Sequence, residues 1–135
     1  MGASSGGIRV KPGTNVSAVA TIESSQLRNS QFGLRVEDNS KVTAKDTMAA
    51  SNAGAGFLAV SNATGVTLHL VGCVATGNLN GVKSDNPNAT VRIRDCMIAG
   101  NGTGMATTAG GHIVTFGDAM NADTGTPTDV DIPKQ

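Results

Sequence analysis

The run Leu68-His69-Leu70-Val71-Gly72-Cys73-Val74-Ala75-Thr76-Gly77-Asn78-Leu79-Asn80-Gly81-Val82 returns 23 residues later as Val91-Arg92-Ile93-Arg94-Asp95-Cys96-Met97-Ile98-Ala99-Gly100-Asn101-Gly102-Thr103-Gly104-Met105. Leu68, Leu70, Cys73, Asn78 and Gly81 fall on Val91, Ile93, Cys96, Asn101 and Gly104. Inside each run apolar and polar residues alternate over three to five positions, the period of a strand, and Gly or Asn closes each stretch. A unit of two or three such brief strands cannot bury its own apolar side. Stacking the units in register makes one continuous core, with each residue about 4.8 Å from its equivalent in the next unit.

The repeat extends in both directions. A backward step of 26 maps Leu68, Leu70, Cys73 and Asn78 onto Val42, Ala44, Thr47 and Asn52, and a further 22 reaches Ala20, Ile22, Ser25 and Ser30, with Asn29 beside it. A forward step of 23 from Val91, Ile93 and Cys96 reaches Val114, Phe116 and Ala119. Glycine followed by an apolar residue recurs at Gly7-Ile8, Gly33-Leu34, Gly56-Phe57, Gly81-Val82 and Gly104-Met105. The chain therefore reads as an all-β parallel solenoid of about five coils of 22–26 residues, covering 6–123, with a polar C-terminal tail over 124–135. The tail, with Pro127 and Pro133, is expected either to leave the repeat or to cover the last coil through Val130 and Ile132.

Equivalent residues form columns. Ala20, Val42, Leu68, Val91 and Val114, together with Ile22, Ala44, Leu70, Ile93 and Phe116, are expected inside. Leu27, Ala49, Ala75 and Ile98 make a third inward column, and Leu34, Phe57, Val82 and Met105 a fourth. Asn52, Asn78 and Asn101 recur at a turn, where a structural ladder of amides would satisfy carbonyls of neighbouring coils. That column holds no carboxylate, so no metal is assigned to it. Cys73 and Cys96 stack at one inward position, close enough for a disulfide but better read as two buried core thiols.

Composition excludes several roles. Ten Lys and Arg balance ten Asp and Glu, leaving no field to gather nucleic acid or an anionic membrane. Trp and Tyr are absent and Phe numbers three, which removes the stacking platforms of single-strand binders. No apolar run approaches the ~18 residues of a membrane span. The first residues lack a signal-peptide pattern, so the chain is expected to be cytoplasmic as written, or secreted if an upstream segment is missing. No cofactor is implied.

The quoted run Val91–Met105, with Gly110-Gly111-His112-Ile113-Val114-Thr115-Phe116-Gly117-Asp118, resembles right-handed parallel β-helix repeat proteins of the pectate-lyase-like superfamily; the second segment is similar to the last coil of bacterial members. The resemblance implies a right-handed β-helix and places any catalysis on the outward strand face that opens each coil. There Thr21, Thr43, His69, Arg92 and Thr115 form one column and Glu23, Lys45, Val71, Arg94 and Gly117 the next. A polysaccharide lyase or hydrolase on this face would use Arg92, Arg94, His69 and Lys45, with Asp95 or Asp118 for a metal. Arg is a poor base, and no pair of acids at hydrolase spacing is evident. The leading expectation is a non-enzymatic structural or macromolecule-binding module for a polysaccharide or a protein. An uncovered first coil around Ile8 and Val10 is expected to join two copies into a homo-oligomer, a dimer in the first instance, with Leu58 and Val71 offering a lateral route.

Overall fold

The computed structural model describes residues 7–116 and 119–130. Three parallel sheets wrap one core. Sheet A stacks β1 (Ile8–Val10), β4 (Leu34–Val36), β7 (Ala55–Val60), β10 (Asn80–Asp85) and β13 (Thr103–Thr108). Sheet B stacks β2 (Ala18–Glu23), β5 (Ser40–Lys45), β8 (Val66–Val71), β11 (Ala89–Arg94), β14 (His112–Thr115) and β16 (Asp129–Val130). Sheet C stacks β3 (Gln26–Arg28), β6 (Met48–Ala50), β9 (Val74–Thr76), β12 (Met97–Ile98) and β15 (Met120–Asn121). Each coil passes once through A, B and C, and every pairing is parallel to the equivalent strand of the next coil. The described residues contain no helix.

The alternation read from sequence becomes the inward and outward faces of these strands. Val42, Leu68 and Val91 are register partners in sheet B, as are Ala44, Leu70 and Ile93, and all are buried. Leu34, Phe57, Val82 and Met105 stack from sheet A, and Leu27, Ala49, Ala75 and Ile98 from sheet C. The bend from sheet B to sheet C takes one residue per coil in the left-handed region: Ser24, Asp46, Gly72 and Asp95, with φ of 48°, 49°, 62° and 51°. Short polar side chains and glycine tolerate that conformation best.

The glycine of the Gly-plus-apolar pair marks a close approach of backbones. A Cβ on Gly33, Gly56 or Gly81 would lie 2.6, 2.8 or 2.7 Å from the carbonyl oxygen of the next glycine in the column. The long 26-residue step is absorbed at the corner between β7 and β8. There Asp38 Oδ1 accepts the N–H groups of Asn62, Ala63 and Thr64 at 2.7, 3.2 and 3.4 Å.

The last coil corrects the sequence register. β11 pairs with β14 through Val91↔Ile113, Arg92↔Val114 and Ile93↔Thr115, a step of 22 and not 23. Ile113 and Thr115 therefore enter the core, Val114 takes the outward position expected for Thr115, and Phe116 is half-buried beyond the strand. A one-residue slip turns every side chain over, so the first residue after Gly110-Gly111 decides which set is inside. The step returns to 23 by β15, where Met97 pairs with Met120.

Of the two arrangements expected for the tail, Thr124–Val130 lie over the last coil. The Thr124 carbonyl accepts the N–H groups of Gly104 and Met105 at 2.8 and 3.3 Å, and β16 pairs with β14. The Thr128 hydroxyl both accepts from Ile113 N–H and donates to Ile113 C=O, each at 2.9 Å. The stack thus runs past residue 123. Ile132 lies outside the described residues, and of Val130 only the backbone pairing is described.

Candidate functional site

The outer face of sheet B carries the residues singled out for chemistry. Parallel register places Thr21, Thr43, His69, Arg92 and Val114 in one column and Glu23, Lys45, Val71 and Arg94 in the next. A further column holds Val19, Lys41, Thr67, Thr90 and His112. Lys41, Lys45, Arg94 and His112 are exposed, while His69 and Arg92 are half-buried because side chains of adjacent rungs crowd them. The four residues read as a possible catalytic set do share one face, with His69 and Arg92 on neighbouring strands. Burial, then the charges of Arg92 and Lys41, hold the His69 imidazole below its ordinary pKa, so it is neutral at pH 7.

The acids near this face have other places. Asp46 and Asp95 occupy the left-handed bends, where the backbone itself favours Asp. Asp118 and Gly117 lie outside the described residues. Glu23 and Lys45 are register partners, and two ion pairs centre on a residue that sequence reading passed over, Glu37. Glu37 is only 2% exposed and accepts hydrogen bonds from Arg9 Nε, Arg9 Nη2 and Arg35 Nη2. Arg9 and Arg35 are register partners on sheet A, so two guanidiniums one rung apart share one carboxylate. The Arg9 hydrogen bond outweighs burial and keeps Glu37 below the usual carboxylate range. Two like charges at equivalent positions, 26 residues apart, were the available sign that a counter-ion must lie between them.

Glu37 and Asp38 also border a groove of about 350 Å³ at the corner after sheet A, with Lys11, Thr14, Asn62 and Thr64. Burial works against the Asp38 charge, but the N–H groups of Asn62, Ala63 and Thr64 outweigh it and lower its pKa. Three amides hold Asp38 Oδ1, and two arginines hold Glu37. No cluster of three metal-ligating side chains occurs among the described residues.

The amide column is built as a chain. Asn52 Nδ2 donates to Leu27 O at 3.1 Å and to Asn78 Oδ1 at 2.8 Å. Asn78 Nδ2 donates to Ala49 O and to Asn101 Oδ1, both at 3.0 Å. Asn101 Nδ2 donates to Ala75 O at 2.9 Å and to Asp123 Oδ2 at 2.8 Å. Ser30, not Asn29, takes the first position, its N–H donating to Asn52 Oδ1. The chain ends on a carboxylate because its last member need only accept, and Asp123 accepts from Gly100 and Asn101 N–H as well. Sequence reading missed Asp123 because the apparent step of 23 points to Thr124.

Cys73 and Cys96 are buried, free and stacked, with Cys73 N–H directed at Cys96 Sγ at 3.4 Å. The hydrogen bond toward Cys73 and burial together push the Cys96 pKa far up. Thiolate chemistry at Cys96 is thereby suppressed. Ile8 and Val10 are half-buried register partners of Leu34 and Val36. Leu58 and Val71 are half-buried too, and the exposed large apolar residues are Val16, Val19, Leu79, Met97 and Met120.

A family model described as a right handed beta helix region matches residues 2–119. No curated protein and no solved structure matches the chain.

Proposed function

Because this chain belongs to the right-handed β-helix family, we propose that it is a non-enzymatic binding module whose sheet B face holds an acidic polysaccharide. The observation that carries the reading is the spacing of permanent cations on a flat surface. Lys41 and Lys45 project from β5 and Arg92 and Arg94 from β11, two rungs further along, while the acids Glu23 and Asp129 belong to the terminal rungs of the face. Rungs recur about every 4.8 Å, close to the length of one pyranose unit, so an extended chain of sugar acids meets a pair of cations at every second unit. Arginine is always charged, which suits holding a carboxylate and not moving a proton. Affinity electrophoresis in polygalacturonate gels tests the proposal: retardation at low ionic strength should fall with added salt. Arg92→Ala with Arg94→Ala should weaken binding at least tenfold, and unretarded wild-type protein would refute it.

One observation favours a lyase on the same face. His69 is a neutral imidazole beside Arg92. A base next to a cation that neutralises a carboxylate is what proton abstraction from a uronic acid needs. Formation of the unsaturated, ultraviolet-absorbing product, abolished by His69→Ala, would establish this second reading over the first.

A further inference from the structure

The two ends of the solenoid are unlike. At the C-terminal end Thr124–Val130 lie on the last coil, and the inward residues there are covered: Ile113 is 0%, Met105 3% and Thr115 5% exposed. At the other end the equivalent positions Ile8, Val10, Ala20 and Ile22 are only half-buried, although their register partners Leu34, Val36, Val42 and Ala44 are fully buried. Ala18 N–H bonds Asn39 O on the β5 side. Donors alternate along a parallel strand, so Val19 and Thr21 turn their backbone N–H and C=O groups to the open end. Val19 is 81% exposed.

We infer that a second copy of this chain stacks on the N-terminal end, edge to edge, to form a closed two-fold dimer. A head-to-tail stack would need the C-terminal end as its other surface, and the tail occupies it. Among the described residues the N-terminal end alone is left uncovered, and like surfaces pair about a two-fold axis. An axis through the middle of β2 sets this six-residue strand antiparallel to its own copy. It also sets β1 against the copy's β3, and both are three residues long. The backbone edges are thereby satisfied, and the half-buried apolar cross-sections merge into one core.

Light scattering and sedimentation of the 135-residue chain at high micromolar concentration test this. The expected mass is twice the 13.5 kDa of one chain. Thr21→Pro removes a backbone donor turned to the open end, without a partner among the described residues, and should give a folded monomer, checked by an unchanged β-type circular dichroism spectrum. Ile8→Lys with Val10→Lys should do the same by charging the contact. A wild-type monomer overturns the proposal, as does a dimer that survives both sets of changes. A monomer that dimerises only after deletion of residues 1–6 overturns it as well, because the chain would then be covering its own end.

Discussion

The backbone N–H of Cys73 points at the sulfur of Cys96, 3.4 Å away and one rung further along the stack. Both sulfurs also approach carbonyls, Cys73 that of Ala44 and Cys96 that of Arg94, each at 3.2 Å. The pair therefore behaves as core polar-apolar filling, with the thiols engaged as weak donors. Replacing both with Ala should cost on the order of 1–2 kcal/mol in urea unfolding, with no change in polysaccharide retardation. Native protein should react with a thiol reagent only as fast as it opens.

Asn78 is fully committed as donor and acceptor. Its side chain donates to Ala49 O and Asn101 Oδ1 and accepts from Asn52 N–H and Nδ2. Asn78→Ala should lower stability by roughly 2–4 kcal/mol, because buried partners on both sides lose their bonds. Asn78→Asp should be nearly as costly, since a carboxylate cannot donate to either neighbour. Chemical denaturation of the two variants against wild type checks this.

The register of the last coil can be read by mutation. Ile113→Ala should cost about 2–4 kcal/mol and Val114→Ala well under half of that, since Ile113 is in the core and Val114 faces out. The opposite order would restore the 23-residue step.

Acid should destabilise the fold in two separable stages. The folded pKa of His69 lies below its ordinary 6.5, so between the two values the unfolded chain binds more protons and stability rises with pH. His69→Gln should flatten that limb of a thermal-melt series. Glu37, Asp38 and Asp123 also titrate below their ordinary values in the folded chain. Their stabilisation is complete above the ordinary carboxylate range and is lost as pH falls through the lowered folded values. Glu37→Gln should weaken the fold at pH 7 and shrink the acid limb.

What the residues announced and what they concealed divide along a physical line. Columns set by burial, such as Leu68 over Val42 and Asn78 over Asn52, were legible because inward positions allow few residue types. The bends at Asp46 and Asp95 were not, since a left-handed φ leaves only a weak preference for short polar side chains, and Asp95 looked like a metal ligand. Glu37 was hidden because its burial depends on Arg9 and Arg35 meeting across a coil. Ile113, just after a glycine pair, and Asp123, just after β15, were each misplaced by a single residue, a distance that repetition cannot resolve where a coil shortens.

The glycine column acts as a ruler with a fixed unit. Gly33, Gly56 and Gly81 each bring their backbone under the next rung's carbonyl, so no side chain and no added thickness can enter there. The corner at Asn62–Thr64, by contrast, absorbs extra residues without disturbing its neighbours. The molecule thus counts rungs and not residues. Inserting a whole unit carrying its glycine, its asparagine and its inward apolar set would lengthen the axis by about 4.8 Å and leave every existing contact type in place. Inserting a single residue beside Gly81 would break the count.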